Sequence, residues 1–189
     1  MQSLLNLKNM KTKNILLAGV GGQGVMLASD IISETLFKAG FDVKTSSIKG
    51  MSQRLGSVVS SIRFGEKVYS PVISKADYFL GFELLESLRY IAYLDKDGIG
   101  IVNNYESKIE NYPKDIINRI KKDNVILLDG QKISGNTKVI NLLFLGILSR
   151  YLGIKKRFWI ETTKEIIPEK YVDINLRTFE EGVKFNNKK

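Results

Sequence analysis

The tightest constraint on the fold is a run of six residues, Gly19-Val-Gly-Gly-Gln-Gly24, set between a strand-like segment and a helical one. Upstream, Asn14-Ile-Leu-Leu-Ala18 is a short apolar run, as expected of a parallel strand buried on both faces. Downstream, Val25, Ala28, Ile31, Ile32, Thr35 and Leu36 recur at helical spacing as far as Lys38, and Ala39-Gly40 closes the helix with a glycine just past its end. Strand, glycine loop and helix in that order open a wound α/β sheet.

The rest of the chain keeps the alternation. Phe41 to Ser47, Ser57 to Phe64, Tyr78 to Phe82, Ile99 to Val102 and Val125 to Leu128 read as strands. Leu84 to Leu94 and Asn136 to Leu152, the latter stopped at Gly153, read as helices, and a last helical stretch follows Pro168. No linker, repeat or low-complexity run lies between Lys13 and Gly182. The expected fold is a single Rossmann-like three-layer α/β domain with a mainly parallel sheet, spanning residues 13–185, with residues 1–12 and 186–189 as flexible tails. A chain of 189 residues can bury one proper core. Met10 is a candidate for the original start, with the residues before it an alternative one, and the segment Met1 to Lys13 lacks the apolar region and small-residue cleavage site of a secretory signal. No apolar run reaches the roughly 18 residues that span a bilayer. The expected location is the cytoplasm, with no membrane partner.

Cysteine and histidine are both absent. Iron–sulfur clusters held by thiolates, disulfides, the usual zinc sites and every Ser-His or Cys-His nucleophile are thereby excluded from this chain. No catalytic residue and no metal ligand is assigned to it. The net charge of +9 suits an anionic partner, but the basic residues lie at the termini and in short groups such as Lys121-Lys122 and Lys155-Lys156-Arg157. No helix joins a basic face to base-reading side chains, so nucleic acid is not expected as a ligand.

In its context the glycine loop matches G-x-G-x-x-G, which brings anions close to free amides at a helix N-terminus. A dinucleotide needs an acid at the end of the second strand; that strand ends in Thr45-Ser46-Ser47, and Asp42 sits at its start. A phosphate-binding NTPase loop needs Lys and Ser/Thr where Val25-Met26 stand, which excludes ATP hydrolysis. Close strand–helix packing, a cofactor phosphate and a surface for another subunit all remain open, with Gly21, Gly22, Gln23 and Gly24 as the candidate contacts. A second constellation is Lys49-Gly-Met-Ser-Gln-Arg-Leu-Gly56. Arg54 can clamp a carboxylate or phosphate with two parallel bonds, Ser52 and Gln53 can add donors, and a plain solvated hairpin loop is the alternative.

With GVGGQGV at 19–25 and GMSQRLGSVVSSIRFG at 50–65, the sequence resembles the gamma-type domain of 2-oxoacid:ferredoxin oxidoreductases, and GMSQR points to the indolepyruvate branch of that group. Val68 to Ile73, Ala76-Asp77, Phe82-Glu83, Glu86 to Arg89, Tyr93-Leu94, Ile101 to Asn103, Asn141 to Leu148, and Ile167 to Asn175 with Phe179 and Gly182 extend the resemblance over nearly the whole chain. Leu55 replaces a glycine usual in the branch, and Lys49 stands where histidine is common. The resemblance implies a small subunit supporting oxidative decarboxylation of a 2-oxoacid with coenzyme A to an acyl-CoA, CO2 and reduced ferredoxin. It places thiamine diphosphate and the iron–sulfur clusters on a large partner subunit, with ferredoxin reached through the complex. No cofactor is expected on this chain alone, and Gly21 to Gly24 with Ser52, Gln53 and Arg54 are the candidate cofactor contacts. A stand-alone α/β module binding a nucleotide or another anion is the alternative.

Overall fold

The structure, a computed structural model, describes residues 11–50, 56–122 and 124–186. Its first strand, β1 (Lys13–Val20), is buried on both sides because its apolar side chains alternate between two cores. Ile15 and Leu17 point into one, Leu16 and Ala18 into the other. The same split recurs at Leu80 against Phe79, Ile101 against Val102, and Ile126 against Val125. These residues lie on β4 (Ala76–Gly81), β5 (Leu94–Asn103) and β6 (Val125–Leu128). β1, β4, β5 and β6 pair in parallel, so the expected parallel core is present.

On the other side of β1 the sheet turns antiparallel. β3 (Ser57–Gly65) pairs with β1, and β2 (Asp42–Lys49) pairs with β3 at the edge, giving the order β2-β3-β1-β4-β5-β6. A hairpin therefore occupies the flank where a dinucleotide-binding sheet has its second parallel strand.

Helices cover both faces, completing three layers. Helices α1 (Val25–Lys38), α5 (Ile140–Leu152), α6 (Lys156–Ile166) and α7 (Glu169–Lys184) contribute to the core that holds Ile15. The opposite core takes α2 (Leu84–Tyr90), α3 (Lys114–Ile120) and two 3-10 segments, Ile91–Tyr93 and Tyr105–Asn111. A short α4 (Gly130–Ser134) follows β6.

Several elements differ from the expectation. The helix read from Leu84 to Leu94 stops at Tyr90 and tightens into a 3-10 turn, and Leu94 already begins β5 by pairing with Ala76. Asp95, Lys96 and Asp97 hide that strand start, because a charged run carries no strand period. Asn136 caps a 3-10 turn, Thr137–Val139, so α5 begins at Ile140, and Gly153 closes it in the left-handed conformation as expected. No counterpart of the 3-10 segment Tyr105–Asn111, of α3 and α4, or of helix α6 was expected from the sequence. The buried face of α6 is Trp159, Thr162 and Thr163, and β-branched threonines are poor helix formers that only packing retains. Among the described residues no helix is long and apolar enough to cross a membrane.

Candidate functional site

The glycine loop joins the carboxyl end of β1 to the N-terminus of α1. Gly22 and Gly24 have φ of 98° and 75°, a region that side chains penalise. Gly24 is the N-cap of α1 and supplies no side chain to it. The Ala28 amide is the first that the helix takes up, donating to the Gly24 carbonyl at 2.9 Å. The amides of Val25 to Leu27 thus lie at the positive end of the helix without an intrahelical acceptor. Gln23 is turned inward: its carboxamide oxygen accepts the Val20 amide at 3.0 Å, and its own amide donates to the Val20 carbonyl at 3.2 Å. This makes Gln23 a brace for the loop.

The second motif meets the first here. The Gly21 amide donates to the Gly56 carbonyl at 2.8 Å, and Val20 lies opposite Ser57 in the β1–β3 register. The Gly50 amide donates to the Ser57 carbonyl at 2.9 Å, closing the base of the β2–β3 hairpin. Of the expected contact residues, Gly21 to Gly24 stand at this junction. Ser52, Gln53 and Arg54 lie outside the described residues.

A cavity of about 390 Å³ opens beside the glycine loop. Gln23, Glu83, Asn103, Lys108 and Gln131 supply its polar lining, and Phe82 and Ile140 are among its apolar walls. These residues follow β1, β4, β5 and β6, so the cavity sits where ligands bind in open α/β sheets, outside the carboxyl ends of parallel strands. Asn103 holds two of its walls together. Its Nδ2 donates to the Phe82 carbonyl at 3.3 Å, and its Oδ1 accepts the Gly130 amide at 3.0 Å. Glu83 caps α2 by accepting the Glu86 amide at 2.8 Å. Lys108 lies with its ammonium 4.8 Å from the Tyr105 ring.

Asp42 is at the far end of β2 from this junction, opposite Gly65, while Lys49 lies at the near end opposite Val58. Its carboxylate accepts the Val68 amide at 2.8 Å and the Lys44 ammonium at 3.2 Å. Those bonds, the Val68 amide first, hold its pKa below 3.8. Asp42 therefore tethers the chain after β3 and stands away from the glycine loop. A carboxylate with a lowered folded pKa contributes stability above its unfolded value, and that contribution is lost as pH falls through the folded one. Following Asp42 by NMR is expected to give a midpoint below 3.8, with the Val68 amide shift moving in step. A midpoint at or above 3.8 would mean that the tether does not persist in solution.

Reading of the sequence assigned no role to Glu83, Glu86 and Asn103, although they stood in the segments that carried the resemblance. Lys108, Gln131 and Thr137 gave no signal at all, because chain crossings alone bring them to the cavity. Among the described residues, no cluster of three or more acidic, histidine or cysteine side chains is placed to hold a metal ion.

Comparison with known proteins agrees with this architecture. The model of the pyruvate ferredoxin/flavodoxin oxidoreductase family matches residues 14–185. The chain is 36% identical to indolepyruvate oxidoreductase subunit IorB of Thermococcus kodakarensis, over 93% of this chain and 96% of that protein. It is 30% identical to the common gamma subunit of the pyruvate/ketoisovalerate oxidoreductases of Pyrococcus abyssi, over 76% of this chain and 80% of that one. Among solved structures, the 2-oxoglutarate:ferredoxin oxidoreductase of Magnetococcus marinus, with 2-oxoglutarate, coenzyme A and succinyl-CoA bound, aligns with a TM-score of 0.77 at 19% identity. That likeness concerns the fold, and it covers 93% of this chain but 31% of the other.

Proposed function

This chain belongs to the pyruvate ferredoxin/flavodoxin oxidoreductase family, as a gamma-type small subunit of a 2-oxoacid:ferredoxin oxidoreductase, and from that premise we propose that it serves an indolepyruvate-type enzyme in the cytoplasm. It would act with a large subunit that carries thiamine diphosphate and the iron–sulfur clusters and passes electrons to ferredoxin. The choice of an aryl 2-oxoacid is supported by GMSQR at 50–54 and by the 36% identity to the Thermococcus subunit.

The observation that carries the reading is the meeting of the two diagnostic motifs, Gly21 against Gly56, beside a cavity at the carboxyl ends of the parallel strands. The N-terminus of α1 and the cavity offer amide donors, carboxamides and the Lys108 cation, a set suited to the carboxylate of a 2-oxoacid or the phosphates of coenzyme A. Gly21, Gly22, Gln23 and Gly24 would shape the contact, and Ser52, Gln53 and Arg54 are proposed as its further contacts. The chain's own part is to bind and orient anionic groups. It has no thiolate or imidazole for a cluster, and no side-chain triad for acyl transfer. Residues of this chain do not fit an iron–sulfur cluster, so no electron-transfer step is routed through it.

The test is reconstitution. The purified chain alone is expected to reduce no dye with indolepyruvate and coenzyme A, and to turn over only when copurified with its large subunit. Turnover by the chain alone, or an intact complex that forms no acyl-CoA from any 2-oxoacid, would overturn the reading. A complex that prefers pyruvate tenfold over indolepyruvate would remove the aryl assignment only.

A further inference from the structure

We propose that Glu86 is a positioning residue for the glycine loop, its buried carboxylate tying the α2 wall of the cavity to Gly21 through Ser57 and Gly56. The idea deepens the functional reading and rests on it for the kinetic half of its test.

Glu86 lies on α2 and is 4% exposed. One carboxylate oxygen accepts the Ser57 hydroxyl at 2.6 Å, and the other accepts the Arg89 guanidinium at 2.6 Å. The Glu86 amide donates to Glu83, which lines the cavity next to Phe82 and Leu84. Ser57 opens β3 opposite Val20, and the carbonyl just before it, on Gly56, accepts the Gly21 amide. A continuous path of bonds thus runs from the cavity wall to the first turn of the glycine loop.

A buried carboxylate is a poor way to gain stability, since its desolvation offsets much of what its partners return. Its usefulness here is geometric. Two acceptor oxygens in one rigid plane can face donors on two elements at once, one on the helix and one on the strand, with short charge-assisted bonds. Ser57 has no other side-chain partner among the described residues, so the carboxylate sets the direction of its hydroxyl and the start of β3. Helix α2 and the glycine loop would then move as one body when an anionic ligand enters between them.

Three substitutions separate positioning from mere packing. Glu86→Gln keeps the volume and one acceptor oxygen but turns an amide toward one of the two donors. Ser57→Ala removes the bond and leaves the Glu86–Arg89 pair. Ser57→Thr returns a hydroxyl at the same strand position. In the full chain, Glu86→Gln and Ser57→Ala are expected to speed hydrogen exchange at the Gly21 amide about tenfold, the worth of one bond to a charged group. Exchange at Phe79 and Leu80 in the sheet centre should stay unchanged, and Ser57→Thr should behave as the parent. In the assembled oxidoreductase the first two variants should raise the KM for coenzyme A about tenfold with kcat within about twofold, and Ser57→Thr should restore it. Unchanged Gly21 exchange, equal acceleration across the sheet, or a KM that does not respond in an active complex would each overturn the proposal. Local acceleration in a complex devoid of 2-oxoacid activity would leave the tie standing and remove the functional reading instead.

Discussion

Gly182→Ala is expected to be among the most damaging glycine substitutions in the described part of the chain. Helices α5 and α7 cross with Gly146 and Gly182 facing each other, and a Cβ on Gly182 would stand 2.9 Å from the Gly146 Cα while overlapping the Leu143 carbonyl oxygen. A Cβ on Gly146 would meet the Phe179 carbonyl oxygen and the Gly182 Cα in the same way. Both obstacles are backbone, so no side chain can rotate aside and the two helices must separate. Leu143, Phe144 and Ile147 on α5, and Phe179 on α7, would all lose close contact with their core. Overpacking of this kind costs about 1–3 kcal/mol or more, and the backbone clash puts this site at about 3 kcal/mol. For a chain of this size the melting temperature should fall by roughly 6–12 °C. Alanine at either position should be equally costly, and the double substitution should cost less than the sum, because the first already opens the crossing. A loss below about 1 kcal/mol in denaturant unfolding would show that the helices pack less closely than described.

Gly24→Ala is expected to be costly as well, and the more informative about function. The new Cβ would meet two penalties, a positive φ of 75° and the Asn141 Nδ2 at 2.6 Å. The first costs about 1–2 kcal/mol. The second arises because Asn141, 2% exposed, is held by its own Oδ1 on the Leu142 amide at 3.0 Å and cannot leave without exposing a buried amide. Together they should come to about 2–3 kcal/mol. Gly22→Ala is the matched control, since its φ is 98° but nothing stands within 4 Å of its Cβ. It should show only the conformational cost, about 1–2 kcal/mol. The assembled enzyme should follow the same order, with Gly24→Ala losing more catalytic efficiency than Gly22→Ala, because only the former displaces the α1 N-terminus. Equal losses in unfolding and kinetics for the two variants would argue against the Asn141 contact.

The candidate site was legible in the sequence wherever its residues lie within a few positions of one another. The glycine loop announced its place between a strand and a helix, because a tight turn with positive φ leaves few residue choices. The exclusion of iron–sulfur and histidine-dependent chemistry needed no coordinates, since it follows from residue types that the chain lacks. The seam between the two motifs was not legible. Gly21 and Gly56 are 35 positions apart, and the antiparallel insertion of β3 beside β1 brings them together. A strand period marks which face a residue occupies and says nothing about which strand lies next to it.

What the sequence by itself determined was therefore local: the α/β class, the positions of β1, α1, β6 and the closing glycine at 153, and the absence of cysteine and histidine. Those depend on periodicity, on φ and on composition, and each can be read inside a short window. The tertiary structure alone decided the hairpin flank of the sheet, the burial of α6 behind two threonines, the roles of Glu86 and Asn103, and the residues that line the cavity. Each of these depends on partners brought from distant positions by strand order and helix crossing. The free energy that selects them comes from burying shared surface and satisfying shared polar groups, quantities that exist only once the chain has folded.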